Sequence, residues 1–149
     1  MTTIFDKATR DALINRINKL EGTEPPQWGS MTVGQMLKHQ IMYEEMFLGK
    51  LKIKRALLGY LFGKFALKDL TKDEYPIKPN LPTIPAIKIT GAGEDVGEGK
   101  KKWISLLEEY PRLGPDHKFF HAFFGIVTKE QAGLLVCKHV DHHLRQFGA

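Results

Sequence analysis

Two Thr-x-x-Gln tetrads, Thr32 to Gln35 and Thr128 to Gln131, constrain this chain more than any other feature. In a capping box the threonine hydroxyl accepts from the backbone N–H three residues on, and the glutamine reaches back to the threonine N–H. Each tetrad therefore marks a helix start, and apolar residues at helical spacing follow both. The pattern predicts helices from Val33 to about Leu48, with Met36, Leu37, Tyr43, Met46 and Phe47 on the apolar side, and from Lys129 to about Gln146.

Asp6 is placed to cap another helix through about Lys19, with Leu13, Ile14, Ile17 and Leu20 near one face and Gly22 as its stop. Two prolines and a glycine make Thr23 to Gly29 a loop. Residues 51–70 are periodic but interrupted by Gly59 and Gly63, which predicts one or two short helices. Their apolar positions (Ala56, Leu57, Tyr60, Leu61, Phe65) are expected to face a bundle, leaving a basic face to solvent; an amphipathic helix lying on a membrane is the alternative. Pro76, Pro79, Pro82 and Pro85 recur every third residue, which suits an extended connection better than a ligand for proline-recognising domains. Glu94 to Tyr110 reads as a third long helix striped by Trp103, Ile104, Leu106, Leu107 and Tyr110. The aromatic run from Phe119 to Gly125 is expected to plug one end of the core, and no strand is expected. The prediction is all-α: one bundle domain over residues 1–149, with four principal helices and a long crossover.

Composition narrows function mainly by exclusion. Cys137, the single cysteine, excludes an intrachain disulfide and a multi-cysteine zinc site, and its apolar neighbours predict a buried, inert thiol. No signal-like start and no apolar stretch of roughly 18 residues is present, so a cytoplasmic chain without a transmembrane segment is expected. The net charge of +5 is uneven: Lys50, Lys52, Lys54, Arg55, Lys64 and Lys68 precede the first acid of their segment, Asp69. That segment can meet an anionic surface, although a solvated face is its simpler meaning, and no nucleic-acid partner is expected.

His39 lies in one capping-box helix, and His139, His142 and His143 in the other. Residues four apart on a helix bring their Cβ atoms within roughly 5–6 Å, so His139 and His143 can aim at one point. His139 and His142 are nearly as well spaced, and spacing leaves the choice open. His39 supplies a third imidazole if the two helices pack side by side. Three histidines leave coordination positions for water or substrate, as catalytic metal sites do. Imidazole accepts several divalent transition metals; zinc and nickel head the expectation, with the identity open. Tyr43, one turn beyond His39, and His121 and His142 are candidates for the pocket or its outer shell.

His39 in Met36-Leu-Lys-His39 and the closing His139-Val-Asp-His-His143-Leu-Arg-Gln146 resemble the DinB-like superfamily. The chain is similar in particular to a small branch carrying Trp-Gly-x-Met-Thr (Trp28 to Thr32), His-x-Phe-Phe-Gly (His121 to Gly125) and a final His-His-x-Arg-Gln-Phe-Gly. The resemblance implies a four-helix bundle in up-down-down-up order, with His39, His139 and His143 as metal ligands. Members of that superfamily with known activities include thiol-dependent transferases (using bacillithiol, mycothiol or glutathione) and a maleylpyruvate isomerase, and the branch resembled here carries over no assigned activity. One departure matters: many members read His-Arg-x-Gln, whereas Arg145 here is displaced by one residue, about 100° around the helix. Two functions follow as expectations. One is a metal-dependent transferase or hydrolase acting on a small molecule, with a low-molecular-weight thiol as one candidate. The other is a non-catalytic interaction module using the bundle surface or its basic segment 50–68. A homodimer through the outer faces fits either.

Overall fold

The structure, a computed structural model, describes residues 2–149. Among them are five α-helices: α1 (Lys7–Asn18), α2 (Val33–Phe47), α3 (Leu57–Thr71), α4 (Val96–Leu107) and α5 (Lys129–Gln146). The marked starts form as their chemistry dictates. The Asp6 carboxylate accepts from the Thr9 N–H at 2.8 Å, and Asp95 caps α4 through the Glu98 N–H at 3.0 Å. Both capping boxes close reciprocally: Gln35 N–H to Thr32 Oγ1 at 3.2 Å with Thr32 N–H to Gln35 Oε1 at 3.0 Å, and the same distances between Thr128 and Gln131. Each such cap stabilises its helix by about 1 kcal/mol.

Four helices pack in a closed ring, α2 against α4, α4 against α1, α1 against α5 and α5 against α2. Trp103, Phe47, Met36, Leu37, Leu106 and Ile17 fill the space between them and are almost completely buried. The α2–α4 seam also buries a carboxyl. Glu44 takes a hydrogen bond from the Tyr110 hydroxyl at 2.5 Å. Burial pushes its pKa up to about 8, while Tyr110 and Trp103 pull the other way; the Trp103 indole N–H does so without full hydrogen-bond geometry. Helix α5 is buried nearly all round, with twelve of its eighteen residues inside, because α1, α2 and α3 all lean on it. Cys137 is buried, and burial pushes its thiol up to about 12.

Three expectations fail. The aromatic run is a hairpin rather than a strandless plug: β1 (Phe119–His121) pairs antiparallel with β2 (Gly125–Val127). Strands of three residues are too short for alternation to show through four phenylalanines, and the turn depends on Gly125 at φ +82°, a conformation that side chains resist. The second failure is the orientation of α3, which is one continuous helix. Its buried residues are Gly59 and Gly63, while Leu57, Tyr60, Leu61 and Phe65 point outward. The two glycines sit one turn apart against the Phe123 carbonyl, where a Cβ on either would collide with the oxygen. The glycine stripe is thus the face by which α3 approaches the hairpin, and its large apolar residues are turned away.

The proline-rich crossover is extended on either side of a turn at Pro79–Asn80, where Asn80 adopts φ +62°, and a short 3₁₀ turn, Pro85–Ile87, then sinks Ile87 into the core beside α2. The third failure is the end of the predicted third long helix, which stops earlier than expected, at Leu107, with a separate 3₁₀ turn at Tyr110–Arg112. Among the described residues no helix is long and apolar enough to cross a membrane.

Candidate metal centre

The packing of α2 against α5 brings His39, His139 and His143 together, so that one ring nitrogen of each lies within 4.8 Å of the others. Hydrogen bonds at the far side of each ring decide which nitrogen that is. His39 Nδ1 lies 2.9 Å from the Ile87 carbonyl oxygen, which can only accept, so Nδ1 carries the proton. His139 Nδ1 donates to Gln40 Oε1 at 3.0 Å. The orientation of that amide is fixed because its nitrogen donates to the His139 carbonyl at 3.2 Å. His143 Nδ1 donates to Gln146 Oε1 at 2.8 Å, and Gln146 Nε2 donates in turn to the Trp28 carbonyl at 2.8 Å. All three tautomers are set by groups outside the cluster, the arrangement that orients metal-ligating histidines.

What remains to each ring is an Nε2 lone pair. His39 Nε2 and His139 Nε2 stand 3.2 Å apart with both Nδ1 protons committed elsewhere, so two lone pairs face one another. A shared cation relieves that repulsion, and a proton is poorly suited to the role. Burial holds His39 below the usual histidine range, and burial followed by the neighbouring histidines holds His139 and His143 well below it. A divalent metal fits the donor set. Two nitrogens bound to one tetrahedral zinc at about 2.0–2.1 Å would stand roughly 3.3 Å apart.

Neighbouring residues divide into those that hold this cluster and those that do not. Tyr43 stacks on His139, with ring centroids 3.8 Å apart and planes 21° from parallel, and so fixes that imidazole from the α2 side. His121 serves the hairpin instead: its Nδ1 accepts the N–H groups of Phe123 and Phe124, both at 3.2 Å, and burial pushes its pKa down to about 3. His142 lies outside the converging group, with Nδ1 3.3 Å from the Ile77 carbonyl and its ring beside Trp28. Arg145 pairs with Asp141 at 2.8 Å, and Asp141 also binds Arg16 at 2.8 Å. The displaced arginine therefore pairs within its own helix, while Arg16 of α1 reaches across to the same Asp141. His39 and His143 are buried and His139 is half-buried as a residue, with its imidazole covered by the Tyr43 ring.

The sequence profile of the DinB superfamily matches residues 7–147, nearly the whole chain. The chain belongs to the DinB superfamily. No match was found among curated proteins or among solved structures. Within this DinB-superfamily chain, the Trp28 region and the closing motif are physically joined. Besides the Gln146–Trp28 bond, the Gln27 N–H donates to the Gln146 carbonyl at 2.8 Å. Gln40, Gln146 and the Ile87 carbonyl are the contributors that sequence reasoning missed. The two glutamines follow His39 by one residue and His143 by three, and a search for amides near paired histidines would find them. No sequence signal points to Ile87.

Proposed function

We propose that this protein is a metal-dependent enzyme, a thiol transferase or a hydrolase, with one divalent ion held by His39, His139 and His143. The observation that carries the reading is the convergence of three Nε2 lone pairs whose opposite nitrogens are all locked by Ile87, Gln40 and Gln146. In this reading the ring of helices runs up-down-down-up, and zinc or nickel is the ion. Bound there with positions left open, the metal would lower the pKa of a thiol or water and stabilise developing negative charge.

The chain's own residues do the rest. Gln40 and Gln146 hold two imidazoles in the ligand tautomer, and Ile87 holds the third, so none must reorganise when charge develops nearby. Tyr43 keeps His139 in its plane and remains a neutral phenol, since burial pushes its hydroxyl well above the usual tyrosine range.

The test is elemental analysis of purified, tag-free protein beside His39→Ala and His139→Ala, followed by assays of thiol conjugation to electrophiles. About one metal per chain in the wild type, lost in both variants together with activity, is expected. No retained metal and no uptake of added zinc or nickel would overturn the site. Equal rates for wild type and His139→Ala would overturn the enzymatic role.

A further inference from the structure

Helix α3 presents Leu57, Leu58, Tyr60, Leu61, Phe62 and Phe65 to solvent, each between 57% and 84% exposed. Single exposed apolar residues are ordinary, but six large ones along one helix form a contiguous patch of the kind that marks an interaction surface. The helix is not free to roll inward. Gly59 and Gly63 seat it on the Phe123 backbone, and the Arg55 guanidinium clamps its first turn to the carbonyls of Gly59 and Phe124 at 2.8 and 3.2 Å. Arg55 is therefore structural, and the exposed positive charge of the segment is lysine. Lys52, Lys54, Lys64 and Lys68 are exposed. They make no ion pair among the described residues, while the acid at the end of the helix, Asp69, is engaged by Lys72 at 2.6 Å. At 100° per residue Lys64 and Lys68 fall on the same outward side as Leu57 and Leu61.

We propose that α3 docks flat on an anionic membrane surface, with Leu57, Leu61 and Phe65 in the acyl boundary and the lysines among the headgroups. Charge decides between occupants. A second copy paired face to face about a two-fold axis would bring two lysine-rich patches together, which opposes association. A nucleic acid would satisfy the lysines and leave the apolar face wet. An anionic bilayer satisfies both, and a helix of fifteen residues carrying lysines lies in the interface rather than across it. The inference is independent of the metal site.

The test is co-sedimentation of the full chain with vesicles of phosphatidylcholine plus phosphatidylglycerol, and with phosphatidylcholine alone. Binding to the anionic vesicles only, weakening with salt, is expected. Lys64→Gln with Lys68→Gln is expected to lower the partition coefficient roughly fivefold for each lysine removed. Leu61→Gln with Phe65→Gln is expected to lower it roughly tenfold or more. All four side chains are exposed, so unchanged circular dichroism and an unchanged urea midpoint will show that the fold survives. No binding to anionic vesicles, equal binding to both vesicle types, or indifference to both double variants would overturn the proposal. So would a wild-type dimer in sedimentation equilibrium that Leu61→Gln with Phe65→Gln makes monomeric, since the face would then belong to a second copy.

Discussion

Helix α5 buries Lys138, His142, His143 and Gln146, whereas α3 leaves five leucines and aromatics from Leu58 to Phe65 in solvent beyond Leu57 itself. Both run against the usual sorting of residues, and the two exceptions differ in physical character. A polar group is buried cheaply only where its hydrogen bonds are satisfied in place, because stranding one costs about 1–3 kcal/mol. Each of the four in α5 has partners; even the Lys138 ammonium donates to the Leu70 and Asp73 carbonyls at 2.6 and 3.1 Å. An apolar side chain left in water forgoes a gain but strands nothing. The α5 exceptions are thus tied to one fixed geometry, and the α3 exceptions are open to any partner of suitable chemistry.

The same leucine-to-glutamine change separates the two regions most sharply. In α5, Leu135→Gln removes a core side chain and places an amide among apolar neighbours; a loss of about 3–5 kcal/mol is expected, read as a fall in the urea midpoint. A next-largest effect is expected from Gln146→Leu, which keeps the volume and frees the His143 tautomer. Metal affinity in a competition titration should fall roughly 10- to 100-fold with the circular dichroism unchanged. Unchanged affinity would show that Gln146 merely packs.

Glu44→Gln probes the buried carboxyl through pH. Folding raises the Glu44 pKa from 4.5 to about 8, so its contribution to stability is full below pH 4.5 and is lost as pH rises towards 8. The histidines have the opposite sign: their folded pKa values are lowered, so their contribution is lost as pH falls below 6.5. The stability of Glu44→Gln relative to wild type should therefore increase steadily from pH 4.5 to 8 in urea titrations, and a flat difference would contradict it. The smallest effect belongs to α3. Leu61→Gln should move the urea midpoint by no more than about 0.5 kcal/mol equivalent, and a larger loss would mean that the face is covered.

What the sequence made legible was local. Capping boxes and the His139–His143 spacing are read within one turn of helix, and all of them formed. The side of α3 that would be buried was not legible, because periodicity says which residues share a face and not whether that face is inside. Gly59 and Gly63 have the same one-turn spacing as the leucines, and they prevailed through a close backbone approach to a hairpin that was itself hidden in an aromatic run. The tautomer-setting Ile87 carbonyl lies 48 residues from His39, and no local pattern carries that information.

The separation of the three histidines along the chain has a thermodynamic corollary. His39 and His139 are 100 residues apart in the chain, so an unfolded polypeptide can offer an ion the α5 pair but can add His39 only by closing a very long loop. The three histidines converge only where α2 and α5 pack against each other. An ion held by all three would act as a clasp on the whole topology. At a free concentration of a thousand times its Kd it would deepen the native well by about 4 kcal/mol, and chelation would be felt in every helix rather than at the site alone.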